Sequence, residues 1–109
     1  KYLKFFPSVY KNSNLIFTGD FNVPQSNTVF YPLRKMGYSS ALYGQKTSLK
    51  QTCINNDCLA SEFDNFYFMT ARFKILQSGY IPFYQSFTDL KDARLISDHV
   101  PIFFRFSLN

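Results

Sequence analysis

The sequence predicts an α/β fold, in which short strands and helices alternate along a single small domain. Hydrophobic residues make up 46% of the chain and include 14 Phe and 8 Tyr, an aromatic richness that disordered chains lack and packed cores need. Apolar runs of strand length are interleaved with a segment of helical periodicity, the mixture from which layered α/β folds are built. At 109 residues the chain suffices for one domain, taken as 1–109. No apolar run is long enough to span a bilayer and no signal-peptide pattern opens the chain. It begins at Lys1 without Met, directly in what reads as the middle of a domain, so a piece of a longer protein is expected.

From Lys1 to Lys11, Leu3, Phe6 and Tyr10 fall at helical spacing and suggest the last turns of an amphipathic helix, although Pro7 suits only its first turn. Asn12-Ser13-Asn14 is a turn cluster, and Leu15-Ile16-Phe17-Thr18, bounded by Gly19, reads as a buried strand. Ser26 or Asn27 then caps a helix to Met36, with Val29, Phe30, Leu33 and Met36 on one face and Gly37 as its stop. Residues 38–48 read as loop and the entry to a hairpin. Ser48–Cys53 and Phe63–Met69 are expected as two strands flanking the Cys53–Cys58 turn. Ile75–Tyr84 is strand-like but broken by Gly79 and Pro82, and Thr88 is a cap candidate for a short helix within Ser86–Ala93. Val100–Phe106 alternates and is rich in aromatics, which marks a strand.

Twelve Lys and Arg against seven Asp and Glu give a formal charge of +5. That balance suits a polyanionic partner such as nucleic acid, and equally many proteins that have none. The basic residues are scattered and form no tail. Cys53 and Cys58 are too few, even with the single His99, to build a zinc site. They are either a local disulfide closing Ile54–Asp57, which requires an oxidising compartment such as a secreted or periplasmic one, or two free thiols near a hairpin tip.

Three segments at the ends of expected strands carry potential chemistry. Gly19-Asp20-Phe21-Asn22 sets a carboxylate and an amide two residues apart, able to hold a hard cation or a phosphate oxygen. The same residues also suit a plain Asx-type turn. Phe63-Asp64-Asn65-Phe66 brings a carboxylate into an aromatic strand, where it needs either a partner or an exposed edge. Ser97-Asp98-His99-Val100-Pro101 pairs the sole histidine with a carboxylate, a combination suited to metal or proton-transfer chemistry and also found in structural roles. Loops at strand ends are where α/β enzymes assemble their sites.

In order and spacing, Leu15–Asn22, Glu62–Phe68 and Ser97–Ile102 resemble the endonuclease/exonuclease/phosphatase superfamily, most of all its deoxyribonuclease I-like branch, over nearly the whole chain. The resemblance implies the C-terminal half of a four-layer α/β/β/α sandwich, one mixed sheet with flanking helices. It implies a metal-dependent phosphodiesterase acting on DNA or RNA, with Mg2+ or another divalent cation. In such a site Asp20 and Asn22 lie against the scissile phosphate, Asp64 orients the imidazole of His99, His99 moves a proton, and Asp98 with Asp20 helps to hold the metal. The first half of such an enzyme, which supplies further metal ligands and a second catalytic group, has no counterpart here. Its absence would leave the inner sheet face to be covered by that missing half or by a second copy. A phosphodiesterase or phosphatase acting on lipid or inositol phosphates, and a non-catalytic interaction module, are the rival expectations.

Overall fold

The computed structural model describes residues 14–109, and the helix expected over Lys1–Lys11 lies outside them. Among the described residues, seven strands form three small antiparallel sheets, joined by two short α-helices and two 3-10 turns. The α/β character is therefore as expected, but the strands do not form a single mixed sheet.

Strand β1 (Ile16–Asp20), strand β2 (Tyr38–Ser40) and strand β5 (Asp64–Met69) make the first sheet, with β5 in the centre. Successive side chains of a strand point to opposite faces, and β5 buries both. On one face Tyr67 stacks on Phe30 with ring centroids 4.8 Å apart and meets Phe21 edge-on at 5.3 Å. Phe17, Leu33 and Tyr38 complete that cluster. Burial pushes the Tyr67 hydroxyl up to about 12. On the other face Phe66 and Phe68 pack against Phe104 at 5.4 and 5.2 Å.

The helix expected from residue 26 to Met36 is shorter and divided. A 3-10 turn, Thr28–Phe30, leads into α1, Tyr31–Lys35. Of the two cap candidates Asn27 serves, its side chain accepting from the Val29 amide at 2.9 Å. Pro32 sits in the first turn of α1, where its missing N–H costs nothing, and Gly37 ends the helix at φ +94°. Phe30 and Leu33 are buried as expected, whereas Val29 and Met36 are exposed.

Strand β3 (Leu49–Ile54) does not pair with Phe63–Met69 across the cysteine turn. Its partner is β4, Asp57–Leu59. Asn55 and Asn56, at φ +51° and +66°, make a two-residue hairpin loop of the left-handed kind that Asn tolerates, so the return strand begins at once. Cys53 and Cys58 are joined by a disulfide, their Cα atoms 4.2 Å apart. Strand β2 was hidden within an expected loop, because Tyr38-Ser39-Ser40 is too short and too polar to show alternation.

Strand β6 (Phe73–Tyr80) pairs with β7 (Ile102–Leu108), and the Phe103 ring covers Gly79 so closely that a Cβ there would lie 3.0 Å from it. A 3-10 turn, Phe83–Ser86, follows Pro82. Helix α2 (Leu90–Ile96) is capped by Asp89 rather than Thr88, the carboxylate accepting from the Lys91 amide at 3.0 Å. Burial of Ala93 and packing of Leu90 against Leu49, Leu59 and Val100 set that register. Among the described residues no helix is long and apolar enough to cross a membrane.

Phe68 joins the first sheet to β6 and β7, so Phe68→Ala is expected to destabilise by about 3–5 kcal/mol. Phe106→Ala, at a site 41% exposed, should cost about 1 kcal/mol or less. Urea midpoints of the two variants test this ordering, and equal losses would show that Phe68 does not join the sheets.

Candidate active site

The register of β1 against β5 sets Asp20 directly opposite Asp64. Cross-strand neighbours on one face stand about 5 Å apart at Cβ, and like charges there repel. The side chain that answers this repulsion is His99. Its Nδ1 lies 2.5 Å from Asp64 Oδ2, and its Nε2 lies 3.7 Å from Asp20 Oδ2 and 3.9 Å from Asp98 Oδ1. Three of the sequence-derived carboxylates thus surround the one imidazole.

Backbone bonds from Thr47, Ser48 and Leu49 bring the histidine there. The Leu49 amide donates to the Asp98 carbonyl at 2.7 Å and the Val100 amide to the Thr47 carbonyl at 2.8 Å, with Ser48 and His99 paired between them. Ser97 Oγ accepts from the His99 amide at 3.0 Å, which shapes the bend after α2. Val100 is buried against Leu49 and Leu59, anchoring the segment in the core. On the opposite side Thr47 Oγ1 donates to Asp64 Oδ2 at 2.6 Å and accepts from the Asp64 amide at 2.9 Å. Asn65 secures the same strand end: its buried amide bonds both the N–H and the carbonyl of Leu42.

Asp20 forms the Asx-type turn expected of its segment and also faces the imidazole. Its Oδ1 accepts from the Asn22 amide at 2.9 Å, forming an Asx turn, while Oδ2 is the oxygen facing His99. Gly19, at φ +151°, takes a backbone conformation that L side chains rarely adopt. Asn22 itself adopts the left-handed conformation at φ +57°. Its side chain is exposed and makes no hydrogen bond among the described residues, so the structure brings Asn22 beside the cluster without joining it.

Burial is the strongest single influence on the His99 pKa and pulls it down. The hydrogen bond to Asp64 and the charges of Asp64, Asp20 and Asp98 together outweigh it, so the imidazole titrates above its ordinary 6.5. With Asp64 accepting, Nδ1 carries the proton and Nε2 is left facing Asp20 and Asp98.

Asp20, Asp64 and His99 each offer a potential ligand atom to a cation, all within 4.8 Å of one another. Asp64 Oδ2 is already engaged by Thr47 and His99, and Asp98, outside that group of three, has its Oδ1 3.9 Å from His99 Nε2. The Asp98 side chain is 66% exposed. An apolar hollow of about 430 Å³, lined by Phe83, Ile96, Val100 and Pro101, borders His99. A larger hollow of about 690 Å³ between β3 and α2 includes none of these acidic or imidazole groups. Sequence reasoning missed Thr47 and Ser97's bond to the backbone. A lone hydroxyl residue ahead of a strand has no pattern to distinguish it.

The sign of the pH effect on stability follows from the raised pKa. Protonated His99 is the form its carboxylates favour, so its contribution is fully present below the ordinary 6.5 and is lost as pH rises through the higher folded value. Asp64→Asn is expected to lower the titration midpoint of the His99 Cε1 proton followed by NMR and to flatten this pH dependence. An unmoved midpoint would mean the two groups are not paired in solution. No protein-family model, curated protein or solved structure matches this chain, so its functional reading rests on the geometry of these residues.

Proposed function

We propose that this chain belongs to a metal-dependent phosphodiesterase that cleaves nucleic acid, and that it forms the C-terminal half of a four-layer α/β/β/α sandwich. The observation that carries the reading is the Asp64–His99 pair set against Asp20 at the end of β1. A phosphodiester is cleaved when an attacking water loses a proton, charge on the phosphoryl oxygens is offset and the leaving oxygen is protonated. The imidazole suits the proton transfers, because Asp64 engages its Nδ1 and its Nε2 is turned towards Asp20 and Asp98.

In this reading Asp64 accepts Nδ1–H and holds the ring in one tautomer. Nε2 then takes a proton from water, or returns it to the leaving oxygen. Asp20, 3.7 Å from Nε2, orients the attacking water, and the exposed amide of Asn22 reaches a phosphoryl oxygen. Asp20 and Asp98 fit a hard divalent cation such as Mg2+, being carboxylates with accessible oxygens beside one imidazole. When bound, such a cation offsets charge on the phosphoryl oxygens. The formal charge of +5 favours a polyanionic substrate over a dispersed lipid headgroup. The disulfide between Cys53 and Cys58 supports an oxidising compartment.

The sandwich half is supported by a row of aromatic rings on one face. Phe66, Phe104 and Phe106 follow one another at 5.4 and 5.1 Å, and none of the three is fully buried. Ile75 and Leu108 are exposed on the same two-stranded sheet. Apolar surface of this extent normally finds a partner, here the other half of the sandwich or a second copy.

With Mg2+, the full-length protein carrying these residues is expected to nick supercoiled plasmid and to release no headgroup from phosphatidylinositol or sphingomyelin vesicles. Chelation should abolish nicking, and His99→Ala should lower kcat/KM by about 10²–10⁴-fold. The 109 residues alone should show negligible turnover. Headgroup release without nicking would transfer the proposal to lipid phosphodiesters, and nicking that survives His99→Ala would remove the imidazole from the mechanism.

A further inference from the structure

Thr47 is a polar side chain with no exposed surface, at a point where the supports of Asp64 and of His99 meet. Its hydroxyl accepts from the Asp64 amide at 2.9 Å and donates to Asp64 Oδ2 at 2.6 Å. A hydroxyl has one proton, and the amide approaching its oxygen leaves that proton to point at the carboxylate. The two bonds close a small ring that holds the Asp64 side chain against its own backbone. Oδ2 is also the oxygen that meets His99 Nδ1 at 2.5 Å.

The same residue holds the histidine segment from its backbone. The Thr47 carbonyl accepts from the Val100 amide at 2.8 Å, and Ser48 pairs with His99. The Thr47 amide in turn donates to the Ser61 carbonyl at 2.8 Å, and Ser48 Oγ accepts from the Ser61 amide at 3.0 Å, which fastens the segment to the chain entering β5. Position 47 therefore refers carboxylate and imidazole to one rigid point. A carboxylate held only by its own χ angles would sweep several staggered positions.

We propose that Thr47 is the positioning residue of the Asp64–His99 pair: its hydroxyl directs Asp64 Oδ2 to Nδ1–H and so keeps Nε2 free of a proton in the neutral imidazole. That Nε2 is the working nitrogen rests on the phosphodiesterase reading above, while the positioning itself does not. Thr47 touches neither metal nor substrate in this scheme and acts only through Asp64.

The tautomer of neutral His99 is read by imidazole ¹⁵N shifts in the 109-residue chain and in its Thr47→Val and Thr47→Ser variants. Wild type and Thr47→Ser are expected to hold the Nδ1–H form. In Thr47→Val, which keeps the volume and removes the hydroxyl, the Nε2–H form should rise at least fivefold. An unchanged tautomer in folded Thr47→Val overturns the proposal. If that variant does not fold, the wild type decides: the Thr47 hydroxyl proton should exchange slowly and lose its protection in Asp64→Asn, and a freely exchanging hydroxyl overturns the proposal. In the full-length protein Thr47→Val should lower kcat at least tenfold with KM within about twofold, and Thr47→Ser should recover most of the loss. A tautomer shift in a protein that cleaves no DNA sinks the nuclease reading and leaves the positioning role standing. DNA cleavage with a tautomer indifferent to Thr47→Val sinks the positioning role alone.

Discussion

Two carboxylates stand opposite one another where β1 and β5 end, and the arrangement survives because an imidazole lies between them. Facing like charges would otherwise weaken the strand pairing that carries them. A histidine pulled towards its cationic form by that pair relieves the repulsion, and the same pull lifts its pKa against the opposing effect of burial. The strand register and the chemistry of the site are thus two aspects of one electrostatic constraint. A slip by one residue would turn either carboxylate to the opposite face.

The register is held from a distance by the aromatic packing of β5. Tyr67 locks one face against Phe30 and Phe21, and Phe66 and Phe68 lock the other against Phe104. Close-packed rings tolerate little sliding, so Asp64 leaves the core at a fixed point. The imidazole arrives by a separate route, along the backbone ladder between Thr47–Leu49 and Asp98–Val100. A disulfide-closed hairpin lies at the far end of β3, and Arg94 ties α2 to it by donating to the Leu49 carbonyl at 2.7 Å and the Lys50 carbonyl at 3.1 Å. The site is accordingly a junction of two sheets and not a feature of any one loop.

Local chemistry governs the elements that sequence reasoning located correctly. Phe17 and its neighbours, Val100–Phe106, and the Asn27 cap all follow from patterns within a few residues of one another. The departures are strand pairings that no alternation along the chain announces. Asp57–Leu59, an additional short strand between the two expected ones, pairs with β3 because two Asn residues at positive φ turn the chain at once. Tyr38–Ser40 became a strand because β5 had an open edge beside it, which no property of those three residues announces.

The sequence by itself determined which groups were available for chemistry: Asp20, Asn22, Asp64, Asp98 and the only histidine, each at the end of an apolar run. It also determined that the core would be aromatic, since alternation and composition are local properties. Only the tertiary structure decided that Asp64 meets His99 across 35 positions of chain, that Asp20 faces them both, that Asn22 remains at the margin, and that Thr47 supports the pair. Side-chain geometry at that scale is set by strand register and by hydrogen bonds between segments distant in sequence, and neither leaves a periodic trace along the chain.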